Sequence, residues 1–272
     1  MTAAHPILAA YDGHATAPVV LGERLARLLG LPLHVATAYR YQPVALSARQ
    51  VPRAENVRRS RAAEHGLERL LDRLGLDAER SSLPAQDAAE ELVALAVARD
   101  AAAIVVGPDV RSRVAWEVVR GALCPVAVAP RRARRLPRAV AVVGVAFDGS
   151  HASRLAVTAA ARLAARAGAR VELHAVGDEK LLATAESAAA ELAPGAACVV
   201  HEGRPADALA EAAPALDVLV CGSRGRGRLL GTLLGSVSSA LVVDPPRPVL
   251  VVPGPARRDA SGPLGLTTAG AA

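Results

Sequence analysis

The chain has 272 residues, of which 52% are hydrophobic and 21% charged, with a net charge of +6. So much apolar material excludes a disordered chain, and 2% aromatics leave too few rings to stack single-stranded nucleic acid. Lys180 is the only lysine among 32 cationic residues. Without a recognition motif, the arginines read as solvated surface and imply no nucleic-acid partner.

In chain order, Met1–Gly13 carries no basic segment followed by an apolar stretch, so no signal peptide is expected. Ile7–Gly13, Leu33–Val35, Ala103–Gly107 and Cys124–Pro130 then set out short β-branched or apolar runs. Arg131–Arg138 clusters arginine and proline and reads as a solvated linker. Beyond it the same runs return in the same order: Val143–Gly149, Leu173–Ala175, Val218–Gly222 and Arg247–Pro253. Four ordered matches predict a tandem duplication.

In the second copy, strands are predicted near 140–147, 170–176, 197–201, 217–222 and 248–252. Helices are predicted near 152–168, 179–192, 205–214 and 235–244. The strands are continuous apolar runs, as strands buried on both faces must be. The fold class is therefore α/β: two tandem Rossmann-like domains, each a five-stranded parallel sheet flanked by helices. The boundaries predicted are 1–132, 139–254 and a disordered tail over 255–272. With 62 alanines, the layers must approach closely. The longest charge-free run, Leu229–Val243, has 15 residues, short of the roughly 20 that a membrane span needs. The expectation is a cytoplasmic protein with no membrane partner. Cys124, Cys198 and Cys221 stand apart in apolar runs and read as small buried hydrophobes.

After the fourth strand of the second copy, Gly222 to Gly235 places five glycines in fourteen positions, with Arg224, Arg226 and Arg228 among them. Glycine lets successive N–H groups converge on an anion, and Gly235-Ser236 opens the last predicted helix, whose amides also favour phosphate. A P-loop is excluded because no Gly-Lys-Ser/Thr occurs. The dinucleotide fingerprint is missing after the first strand, where Asp148-Gly149-Ser150-His151 stands.

Gly222-x2-Gly225-x9-Gly235-Ser236 behind an apolar strand resembles the nucleotide-binding motif of the universal stress protein family. The resemblance spans nearly the whole chain as two copies. It implies an adenine-nucleotide α-hydrolase-like fold that holds ATP, with Mg²⁺ joining through the phosphates. Position by position, it implies that Asp148 meets the adenosine and Ala175 offers main-chain contacts to adenine. Gly222, Arg224, Gly225, Gly235 and Ser236 would surround the phosphates. Asp148 has a second reading, as the N-cap of the following helix. The family also implies that the last strands of the two copies, Val126–Ala129 and Val249–Val252, pair as a dimer does, inside one polypeptide; a further homodimer stays open. The function implied is a stress or signalling module read by an unidentified protein partner, not an enzyme. A slow ATPase and a scaffold that binds nothing are the alternatives.

The first copy departs from the pattern. Gly107 to Pro125 spans 18 residues where Gly222 to Pro248 spans 26, and Val110 stands where the second glycine belongs. Pro108 donates no N–H and Asp109 adds negative charge, so no ATP is expected there, although Asp12 could still meet a nucleoside. The seven histidines show no metal-ligand spacing and read as surface or strand-end residues. Ser150-His151 lacks a nucleophile elbow. Trp116 is expected to pack its helix against the shortened loop.

Overall fold

The computed structural model describes residues 5–42, 51–108, 113–223 and 242–254, with the backbone alone over 51–53. The first half runs β1 (Ile7–Ala10), α1 (Ala17–Leu29), β2 (Leu33–Arg40), α2 (Val51–Leu74), β3 (Glu79–Ala85), α3 (Ala88–Ala98), β4 (Ala103–Val106), α4 (Val114–Gly121) and β5 (Val126–Val128). The second runs β6 (Val142–Phe147), α5 (His151–Ala167), β7 (Arg170–Val176), α6 (Glu179–Leu192), β8 (Ala197–His201), α7 (Pro205–Ala212), β9 (Val218–Gly222) and β10 (Val249–Val252). The predicted helix near 235–244 and the predicted tail 255–272 fall largely or wholly outside the described residues.

All ten strands form one sheet in the order β3-β2-β1-β4-β5-β10-β9-β6-β7-β8. Within each half every pair is parallel, and each half arranges its strands third, second, first, fourth, fifth. The halves meet at β5 and β10, which pair antiparallel with Val249 opposite Val128 and Val251 opposite Val126. Each half thereby covers the other's last apolar edge, which would otherwise stand open to pairing.

Parallel strands need crossover helices, and these cover both faces. Successive residues of one strand feed opposite layers: Leu8 and Ala9, Ile104 and Val105, Leu219 and Val220 are all fully buried. One layer packs under α1, α2, α5 and α6, the other under α3 and α4. Each such Leu, Ile or Val contributes about 1.5–3 kcal/mol when buried. The outermost strands β3 and β8 are half exposed along most of their length.

The linker differs from the solvated segment expected. Arg131, Arg132, Arg134 and Arg135 are exposed, but Leu136 is buried in the core and ends a 3-10 turn, Ala133–Arg135. Arg24 Nη1 on α1 donates to the Pro137 carbonyl at 2.5 Å. A lone leucine among arginines gains from burial while its neighbours keep their hydration.

Candidate functional site

In a doubly wound sheet, ligands bind in the crevice beyond the carboxyl ends of the strands. Three of the predicted residues come together there. Asp148 follows Phe147, the last residue of β6, and Phe147 pairs with Ala175 on β7. Gly222 ends β9, which flanks β6 on its other side. Asp148, Ala175 and Gly222 thus lie at the ends of three adjacent strands. Arg224, Gly225, Gly235 and Ser236 lie outside the described residues.

The Asp148 turn is built locally. Its Oδ1 accepts from the Ser150 N–H at 3.0 Å, and Gly149 takes φ +75°. Helix α5 is capped not by Asp148 but by Ser150, whose Oγ accepts from the Ser153 N–H at 3.2 Å. The N-cap reading of Asp148 therefore falls away, and its side chain is exposed. Leu181 and Thr184 of α6 pack about the Gly149 position, at 3.5 and 3.8 Å from where a Cβ would sit. That helix starts at Asp178, whose Oδ1 caps the Leu181 N–H at 3.0 Å. The cap agrees with the predicted helix start near 179, but neither the cap nor its closeness to Gly149 was read from the sequence.

Gly222 has a reason the spacing did not supply. A Cβ there would sit 2.2 Å from the Ala152 carbonyl oxygen and 2.4 Å from its carbon. The end of β9 and the first turn of α5 approach so closely that only glycine fits. The next residue, Ser223, is buried, and its N–H donates to the Val252 carbonyl at 2.8 Å.

The first half repeats this frame with changes. Asp12 Oδ1 accepts from the His14 and Ala15 N–H groups at 2.8 and 2.7 Å, and Gly13 takes φ +88°. Gly107 directly follows β4, where Gly222 ends β9, and among the described residues a Cβ on it would meet only Pro18 Cγ, at 3.6 Å. A cavity of about 280 Å³ lies here, between the ends of β1, β2 and β4 and the starts of α3 and α4.

The histidines need correcting. His34 and His174 are neither surface nor strand-end residues; both are buried within β2 and β7. Each has a polar partner on the adjacent outer strand, which is what permits burial. His34 Nε2 lies 2.9 Å from Ser81 Oγ, and His174 Nδ1 lies 2.9 Å from His201 Nε2, the two rings stacked with centroids 5.1 Å apart. Among the described residues no group of three His, Cys, Asp or Glu could hold a metal. Cys124 and Cys221 are buried, as expected of small hydrophobes, while Cys198 is half-buried and its thiol is pushed up by burial and by Glu186. Trp116 lies between the Arg113 and Arg120 guanidinium groups, 4.8 and 4.4 Å from its ring centre. The shortened loop it was expected to meet, 109–112, lies outside the described residues.

Two five-stranded parallel halves with crevices at their strand ends define a Rossmann-like α/β protein. The same fold occurs in a universal stress protein from Archaeoglobus fulgidus, 19% identical, with 91% of this chain and 98% of that one covered at a TM-score of 0.70. A protein of Pseudomonas aeruginosa matches at 18% identity, 92% and 94% coverage and a TM-score of 0.64. A universal stress protein in complex with cAMP is 31% identical over 42% of this chain and 97% of its own, with a TM-score of 0.37. No curated protein matches. Residues 172–253, from β7 through β10, match the family model described as "Universal stress protein family". The second half of the chain thus carries a universal stress protein domain, and the whole chain shares its fold with universal stress proteins. Among the described residues no helix is long and apolar enough to cross a membrane.

Proposed function

We propose that this protein is an ATP-binding module of the stress-response or signalling type, with one nucleotide held in its second half, 139–254. The observation that carries the reading is the convergence of Asp148, Ala175 and Gly222 at the ends of β6, β7 and β9. From that point the sequence continues directly into Arg224, Gly225 and, ten residues on, Gly235-Ser236. A glycine-rich segment leaving a buried strand supplies convergent N–H donors, and arginine adds positive potential for a polyphosphate. Mg²⁺ would enter with the phosphates. Occupancy would then set the surface that a protein partner reads in the cytoplasm. Hydrolysis needs a positioned base or water, and the segment offers anion contacts without one.

The first half, 1–132, lacks the eight residues that lengthen the second half's glycine segment. Each lost charge-assisted hydrogen bond is worth roughly 1.5–3 kcal/mol, and each 1.4 kcal/mol is about tenfold in affinity. Titration calorimetry of the full chain should therefore give one ATP per chain. Gly235→Val should abolish that binding while circular dichroism stays unchanged. Two equivalent tight sites, or full affinity in a folded Gly235→Val protein, would overturn the reading. Phosphate release over many hours separates a binding module, which gives none, from a slow ATPase.

A further inference from the structure

We propose that the arginine-rich turn joining the two halves, Arg131–Arg138, is a docking surface for an acidic segment of a protein partner. The proposal stands whether or not the second half holds ATP.

Five of those eight residues are arginine, and all five, Arg131, Arg132, Arg134, Arg135 and Arg138, are exposed. Among the described residues none of the five meets a carboxylate, whereas Arg27, Arg59, Arg80, Arg99, Arg154 and Arg170 each do. Asp217 reaches the chain just beyond the turn, and its Oδ2 is already taken by the Ala141 and Val142 N–H groups.

The backbone that carries these charges is fixed at several points. Leu136 is buried, and the 3-10 turn Ala133–Arg135 closes with the Arg135 N–H on the Arg132 carbonyl at 2.9 Å. Such a bond keeps the Cα atoms of Arg132 and Arg135 within about 7 Å of each other. The first half holds the turn through Arg24, which donates to the Pro137 carbonyl. The second half holds it through Arg247, whose Nη1 donates to the Arg135 carbonyl at 3.4 Å and Nη2 to the Pro214 carbonyl at 3.0 Å. Both clamps are cations set on neutral carbonyls, so they add positive charge and cancel none.

Like charges gathered on a fixed frame repel one another, and a chain of carboxylates laid across them relieves the repulsion. A guanidinium fork takes a carboxylate through two hydrogen bonds, and a frame already ordered loses little entropy on binding. Single-stranded nucleic acid would need rings to stack on, and the turn has none. A membrane surface is gripped best when apolar side chains insert beside the charges. The turn's only large apolar side chain, Leu136, is packed into the core.

The test is fluorescence anisotropy of a labelled decaglutamate peptide titrated with the full chain at neutral pH, in low and in physiological salt. The peptide should bind saturably, with affinity falling about tenfold or more as salt is added. Arg134→Glu with Arg135→Glu should weaken binding roughly a hundredfold, the loss of two charge-assisted contacts. Arg69→Glu with Arg73→Glu makes the same charge change at exposed positions of α2, and should bind within about threefold of the parent. Arg24→Ala keeps all five charges but frees the turn from α1, and should bind roughly three- to tenfold more weakly. Circular dichroism checks each fold. Should the Glu pair not fold, Arg134→Gln with Arg135→Gln takes its place, with binding about tenfold weaker. The proposal is overturned if the peptide does not bind, if the altered turn or Arg24→Ala binds it as the parent does, or if the α2 pair loses as much as the turn pair. It is overturned too if phosphatidylserine vesicles or single-stranded DNA bind the turn more tightly than the peptide does.

Discussion

Two glycines show how a single missing Cβ can be required for different reasons. A Cβ on Gly222 would meet the Ala152 backbone, while one on Gly144, within β6, would meet the Leu216 side chain at 2.3 Å. Backbone at a helix start cannot step aside; a leucine can change rotamer, even in a packed layer. Gly222→Ala should therefore cost about 2–3 kcal/mol in denaturant unfolding and Gly144→Ala less; the reverse order would refute this account of the contact. The buried histidines predict a pH effect. Burial, with His201 close by, holds the His174 imidazole below its ordinary value of 6.5, and Glu172 opposes the shift. His34 is lowered by burial too, with Glu79 opposing. Such a group binds its proton less tightly folded than unfolded, so the unfolded chain takes up more protons as the medium acidifies. Its stabilising contribution is complete above about pH 6.5 and is lost as pH falls below that value. Melting temperature should drop between about pH 7 and 5, and His174→Gln should flatten the slope; an unchanged slope in that variant would remove His174 as the cause.

At the scale of elements, the inner strands were plain in the sequence because continuous Val, Ile and Leu runs have one physical explanation, burial on both faces. The segment near 140–147 and the strand Val142–Phe147 agree apart from the first residues, where Asp217 Oδ2 accepts from the Ala141 and Val142 N–H groups. The outer strands carry a weaker pattern: Ala197–His201 is exposed or half-buried throughout, and its histidine, a strand-end residue as expected, also meets His174 of β7. Of the site, Asp148-Gly149 and Gly222 were legible by type and spacing. The purpose of Gly222 was not, since its constraint comes from a helix seventy residues earlier in the chain. The linker was misread for a similar reason: composition averaged over eight residues hides one leucine. Leu136→Ala should cost about 2–4 kcal/mol, whereas Arg134→Ala, at an exposed position, should stay within about 0.5 kcal/mol. Equal effects in thermal unfolding would show that the linker is not part of the core.

For the molecule as a whole, the junction of β5 and β10 makes the two halves mutually dependent. A fragment of residues 139–254 would present the edge of β10, four buried apolar residues with unpaired backbone groups. It should form dimers through that edge at micromolar concentration, seen by sedimentation, while the full chain should not use it; a strictly monomeric fragment would show that the edge is covered in another way. The antiparallel sense of that one pair of strands has a broader consequence. Because all other neighbours are parallel, the carboxyl ends of the first half point opposite to those of the second. The two sets of strand ends lie on opposite rims of the sheet, with no shared helix start among the described residues. An insertion beside Asp12 or a deletion after Gly107 leaves the other rim untouched. Each half is thus free to change its chemistry without endangering the other's, and the sequence after Asp12 and Asp148, five residues against three to the next helix, already differs between them.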